Sequence, residues 1–171
     1  VGFENHTMRG GDGNDSLLGG GVQFGGEGND TLRGSVADRL DGEAGDDLLV
    51  GGDFGFSSLF GGEGNDTVIA DNDRYTLHGG AGDDVLFSGE NRSYALDERT
   101  QMLGGEGNDS LTGSGSNEFM DGGADDDTLN GNEGEDSLLG GTGNDELNGG
   151  QNADTLEGGE GAGKSTLISG L

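Results

Sequence analysis

Gly25–Asp30 reads GGEGND, and the same six residues return at Gly61–Asp66 and Gly104–Asp109. Close variants stand at Gly10–Asp15 (GGDGND), Gly79–Asp84 (GGAGDD) and Gly140–Asp145 (GGTGND). Most are followed by a variable residue, an aliphatic residue and another variable residue, giving the nonapeptide G-G-x-G-x-D-x-U-x. Iteration at this density leaves little of the chain for any other chemistry, and it decides the fold.

On a nine-residue grid, near-consensus loops begin at Gly10, Gly25, Gly42, Gly61, Gly79, Gly104, Gly122 and Gly140. Their sixth-position aspartates are Asp15, Asp30, Asp47, Asp66, Asp84, Asp109, Asp127 and Asp145, separated by 15, 17, 19, 18, 25, 18 and 18 residues. Two repeats are therefore the natural period. The intervening units are degenerate as far as residue 121, as in ADNDRYTLH at 70–78 and GSGSNEFMD at 113–121. From Gly122 onward both halves are competent, with GNEGED at 131–136 and GGQNAD at 149–154, which add Asp136 and Asp154.

This pattern predicts an all-β solenoid flattened into two faces. Each unit is read as a loop of about six residues and a strand of about three, with the eighth residue pointing inward. The inward set is Leu17, Leu32, Leu40, Leu49, Leu59, Val68, Leu77, Leu86, Leu111, Met120, Leu129, Leu138, Leu147 and Leu156. Successive strands lie on opposite faces, so two repeats make one turn, and turns stack in parallel at about 4.8 Å. One edge carries well-formed loops throughout; the other is loop-poor until the C-terminal third. Gln23 at an inward position marks the first turn as irregular. Residues 1–9 are read as a lead-in and 10–171 as a single domain, with an insertion at 88–103 and a degenerate terminal repeat from 158.

Composition restricts the partners. The chain has 42 Gly and no Pro, Cys or Trp; Asp and Glu outnumber Lys and Arg 35 to 7, for a net charge of −28; 27% of residues are hydrophobic. So little apolar surface cannot offset chain entropy unaided, and a chain of this charge repels itself. A cation is needed to complete the fold. Nucleic acid and anionic membranes are unsuitable partners, and no apolar run is long enough to span a bilayer. The absence of Pro suits a continuous ladder that uses every backbone N–H. The start at Val1, without Met or a signal peptide, is read as that of a fragment of a longer protein.

The sixth position places a carboxylate on every turn. At about 4.8 Å, stacked like charges repel unless a cation sits between them. Calcium takes six to eight oxygens in flexible geometry; magnesium demands a small octahedral cage and keeps its waters, and zinc lacks its usual His and Cys ligands here. Glycines at positions one, two and four permit positive φ, which aims backbone carbonyls at one spot.

The chain resembles the repeats-in-toxin (RTX) family over roughly residues 10–166, with a motif that is highly specific when repeated this often. The resemblance implies a right-handed parallel β-roll that binds calcium between loops two repeats apart and folds after secretion into calcium-rich surroundings. It also implies a ligand set: carbonyls of positions two and four with the Asp of one loop, and carbonyls of positions one and three with the Asp of the next. The first site would then use Gly11, Gly13 and Asp15 with Gly25, Glu27 and Asp30. The next would use Gly26, Gly28 and Asp30 with Gly42, Ala44 and Asp47. Gly45 and Asp47 would join Gly61, Glu63 and Asp66, and Gly62, Gly64 and Asp66 would join Gly79, Ala81 and Asp84. Further along, Gly122 and Ala124 would serve with Asp127, and Gly140 and Thr142 with Asp145. Eight ladder aspartates make seven gaps, and Asp136 with Asp154 an eighth. About eight ions, in six-oxygen sites of this kind, would cancel roughly 16 of the 28 negative charges. Glu43 and Asp125 replace glycines at positions two and four, and Asn152 and Ala153 interrupt the pattern before Asp154.

The function expected is a calcium-binding structural module of a secreted or surface bacterial protein. The alternatives are an accessory module of a secreted protease, lipase or epimerase, and an ice-binding region. Ice binding calls for Thr at position three, where only Thr142 supplies one. Besides calcium, the partners expected are neighbouring domains or a surface partner of the parent protein. Catalytic motifs such as H-E-x-x-H and G-x-S-x-G are absent, so no catalytic residues are assigned. GGEGAGKS at Gly158–Ser165 satisfies the phosphate-loop pattern. It sits in acidic surroundings with six residues after it, and reads better as a terminal repeat whose sixth position has become Gly163. Segment 88–103, with Arg92, Tyr94 and Arg99, reads as a surface insertion on the weak edge. His6 and His78 read as surface residues, and Phe54, Phe56 and Phe60 as a cover for the edge where calcium is missing. Asp38, on that same edge, is expected to matter little.

Overall fold

The computed structural model describes residues 6–35, 39–52, 57–71, 75–89, 99–160 and 166–168. Among these there is no helix, and every strand pairing is parallel. One nine-stranded sheet holds Thr7–Asp12, Val22–Glu27, Arg39–Ala44, Ser57–Glu63, Tyr75–Ala81, Thr100–Glu106, Glu118–Ala124, Ser137–Thr142 and Thr155–Glu157. The other holds Ser16–Leu18, Thr31–Arg33, Leu48–Val50, Thr67–Ile69, Val85–Phe87, Ser110–Thr112, Thr128–Asn130, Glu146–Asn148 and Thr166–Ile168. The chain alternates between the two sheets, so each turn of this β-roll consumes two nonapeptides.

The two sheets are unequal, which corrects the expectation of a uniform six-residue loop and three-residue strand. In the first sheet most strands run six or seven residues and include the first three loop positions, as Gly25, Gly26 and Glu27 do in Val22–Glu27. In the second they are three residues long. A first-edge loop is therefore only its last three positions, with the G-G-x portion already paired.

The core is two facing columns. Inward from the first sheet, register aligns Met8, Gln23, Leu40, Leu59, Leu77, Met102, Met120, Leu138 and Leu156. Leu17, Leu32, Leu49, Val68, Leu86, Leu111, Leu129 and Leu147 face them from the second. All the predicted inward aliphatics are buried except Leu156, which packs against the core half-buried. Gln23 is fully buried, and its side-chain amide donates to the carbonyls of Gly19 (2.7 Å) and Arg33 (3.0 Å).

Irregular spacing leaves register intact. Gly11, Gly26, Glu43, Gly62, Gly80, Gly105, Gly123 and Gly141 pair in succession despite steps between 15 and 25 residues. Length differences are thus absorbed on the second edge. The insertion is shorter than expected, because 100–103 is strand and Met102 is buried in the core column. The first strand begins at Thr7, inside the stretch read as lead-in. Phe60 does not cover an edge; it lies on the outer face of the first sheet, stacked on a half-buried His78 (4.7 Å between centroids) beneath Arg39. Asp38, Phe54, Phe56, Arg92, Tyr94 and 161–165 lie outside the described residues.

Candidate metal centre

The first edge carries two parallel ladders of side chains. The inner one is the predicted aspartate column. Asp30, Asp47, Asp66, Asp84, Asp109, Asp127 and Asp145 are each 1–3% exposed, with Asp15 half-buried at the start. In each step one aspartate donates its backbone N–H to Oδ1 of the aspartate on the next turn: Asp15 to Asp30 at 2.7 Å, Asp66 to Asp84 at 2.8 Å, Asp109 to Asp127 at 2.8 Å. The other oxygen, Oδ2, is buried without a hydrogen-bond partner in Asp30, Asp47, Asp66, Asp84, Asp109 and Asp127. A buried acceptor without a partner is an anomaly in an ordinary core; a row of six on one edge is a pattern.

The position-one glycines show where Oδ2 points. A Cβ at Gly10 would lie 2.5 Å from the carbonyl oxygen of Gly25 and 2.6 Å from Oδ2 of Asp15. Gly25, Gly42, Gly61, Gly79, Gly104 and Gly122 repeat this, each facing its own loop's Oδ2 and the position-one carbonyl of the next turn. Oδ1 therefore faces the preceding turn and Oδ2 the following one. These glycines do not have positive φ, which corrects the reading of position one: they are required for space. Positive φ belongs to positions two and four, where it is adopted even by Glu43 (74°) and Asp125 (76°).

The carbonyls of position three, including Glu27, Ala44, Glu63, Ala81 and Ala124, each accept a backbone N–H from position four of the preceding turn and keep a second lone pair. Those of positions two and four pack against the same positions one turn on, as Gly11 does against Gly26 and Gly28 against Gly45. Among the described residues no three His, Cys, Asp or Glu side chains converge as a metal site. Any cation here has to be completed by backbone carbonyls. A donor set of carboxylate and carbonyl oxygens is hard and suits calcium, and the orphaned Oδ2 atoms beside position-one carbonyls fit it.

Electrostatics agree. Burial, resisted by the backbone hydrogen bond and reinforced by neighbouring carboxylates, raises Asp47, Asp66 and Asp109 to about 6 and Asp84 and Asp127 to about 7. Without a counter-charge this column resists full ionisation.

The outer ladder was missed by sequence reasoning, although position five spells it: Asn14, Asn29, Asp46, Asn65, Asp83, Asn108, Asp126 and Asn144. Each side-chain oxygen accepts the N–H of the next rung, from Asn29 onto Asn14 (3.0 Å) to Asn144 onto Asp126 (2.8 Å). Asp126 is one of these rungs and, like Asp125, is exposed.

On the second edge, Asp136 is buried and Asp154 half-buried, and both have orphaned Oδ2 atoms. Asp136 donates its N–H to Asp154 (3.0 Å). One rung earlier stands Glu118, which counting to position six of GSGSNE would have found; its N–H donates to Asp136 Oδ1 (2.8 Å).

No curated protein sequence matches the chain. A family model described as the RTX calcium-binding nonapeptide repeat, in 4 copies, matches residues 5–21, 24–54, 52–77, 60–92, 99–129 and 130–164. With a parallel β-roll, an aspartate on eight successive first-edge turns and the family's own nonapeptide along its length, the chain belongs to the RTX calcium-binding repeat family.

Proposed function

We propose that this chain is a calcium-triggered folding module of a secreted or surface bacterial protein, loading about eight ions, most of them along the first edge. The column of buried Oδ2 atoms, each beside a position-one carbonyl of the next turn, carries this reading. The residues that would hold the ions are the first-edge aspartates with the carbonyls of their loops, and Asp136 with Asp154. Calcium supplies the positive charge that lets stacked carboxylates remain ionised in a nearly dry row. The chain's own residues do the rest. The leucine columns set turn spacing, position-one glycines leave the space, and backbone bonds to Oδ1 hold each carboxylate in its plane. Among the described residues no helix is long and apolar enough to cross a membrane.

The test is circular dichroism from chelator to about 10 mM calcium, spanning the range of extracellular sites, with magnesium as control. A cooperative gain of β-structure with calcium alone is expected. A chain already folded in chelator and indifferent to calcium would overturn the proposal.

A further inference from the structure

The second edge shows how this chain closes a loop without an ion. From Ser57 onward its sixth-position column reads Ser57, Tyr75, Thr100, Glu118, Asp136 and Asp154. At Tyr75 a phenol stands where the other edge has a carboxylate. It is 1% exposed and donates to the carbonyl of Gly52. A Cβ at Gly51 would strike its ring, as one at Gly61 would strike Asp66.

Glu118 is more telling because it retains the charge. It is fully buried, and its Oε2 lies beside the Gly131 carbonyl, the arrangement of Asp15 Oδ2 beside Gly25. Yet neither carboxylate oxygen is orphaned. The extra methylene lets the group reach back over its own loop, where Ser114 donates its N–H to Oε2 (3.1 Å) and its hydroxyl to Oε1 (2.8 Å). Asp136 and Asp154, on the same edge, have no such donors for Oδ2.

We propose that Glu118, held by Ser114, is a metal-independent rung that closes loop 113–118 onto loop 131–136, so that among the described residues the second edge takes calcium only between Asp136 and Asp154. This rests on the calcium reading above. The test is calcium stoichiometry by native mass spectrometry and calorimetry on the whole chain. The Ser114→Gly/Glu118→Asp double variant removes the hydroxyl donor and shortens the acid so that it no longer reaches back to the backbone N–H at 114; it is expected to bind one more calcium ion than wild type. Glu118→Gln keeps the shape, and is expected to bind the same number as wild type. Loss of an ion in Glu118→Gln makes Glu118 a ligand and overturns the proposal, as does a double variant that folds with calcium and gains none. A wild-type chain that binds no calcium removes both this and the reading beneath it, and is recognised from wild type alone.

Discussion

Each first-edge aspartate does two jobs with two oxygens, and a substitution can separate them. In Asp66→Asn, Oδ1 still accepts the Asp47 N–H (2.8 Å in the parent), while the amide that replaces Oδ2 donates to the Gly79 carbonyl it faces. The rung survives and the charge is lost. Calorimetry is expected to show one or two fewer ions and a shallower titration; unchanged stoichiometry would remove Asp66 from the ligands. The glycine opposite makes a second, independent probe. Gly61→Ala drives a methyl between Asp66 Oδ2 and the Gly79 carbonyl, and overpacking of this kind costs about 1–3 kcal/mol. Gly115→Ala meets nothing within 4 Å and has no positive φ, so its melting temperature in calcium should match wild type while that of Gly61→Ala falls.

Between neighbouring loops, exposed charge is staggered. Glu27, Glu63 and Glu106 occupy position three in loops whose fifth residue is Asn29, Asn65 or Asn108; Ala44, Ala81 and Ala124 occupy it where the fifth is Asp46, Asp83 or Asp126. Each of these six loops thus presents one of these two carboxylates, alternating in column, so among them like charges in a column stand two turns, about 9.6 Å, apart. Asn108 also donates its side-chain amide to Asp83 (3.0 Å). Asn108→Asp would set three carboxylates in a row. It is expected to destabilise the calcium-loaded fold by about 1 kcal/mol at low salt and by less as salt screens the column, measured by urea unfolding at two ionic strengths. A salt-independent loss would locate the effect elsewhere. This stagger was legible in the sequence once position five was aligned, as were the leucine columns and the aspartate ladder, because all three obey the repeat period. Glu118 and Met102 were harder to see, for different reasons. Glu118 sits in a loop with serines where the pattern has glycines, and Met102 follows an insertion that hides the period. The unequal strand lengths depend on backbone pairing, which the nonapeptide alone does not encode.

At the scale of the whole chain, a core two residues wide holds together a molecule of net charge −28, so protons and calcium compete to neutralise one buried column. The metal-free fold holds Asp47, Asp66, Asp109 and Asp136 at about 6 and Asp84 and Asp127 at about 7, burial being the largest cause in each. In the unfolded chain these groups return to about 4. Between about pH 4 and pH 7 the folded form therefore binds more protons than the unfolded form, and its stability rises as pH falls. Above about pH 7 the carboxylates are ionised in both states, and their burial and mutual repulsion oppose folding in full. In chelator, the chain is expected to gain β-structure as pH is lowered from about 7.5 to about 5, the reverse of ordinary acid denaturation. Calcium binding must displace those protons, so the calcium midpoint of the dichroism titration should rise over the same interval, with protons released into the buffer. A calcium midpoint that stays constant between these two pH values would mean that the buried aspartates are ionised in the metal-free fold, and that something other than cation charge holds the turns together.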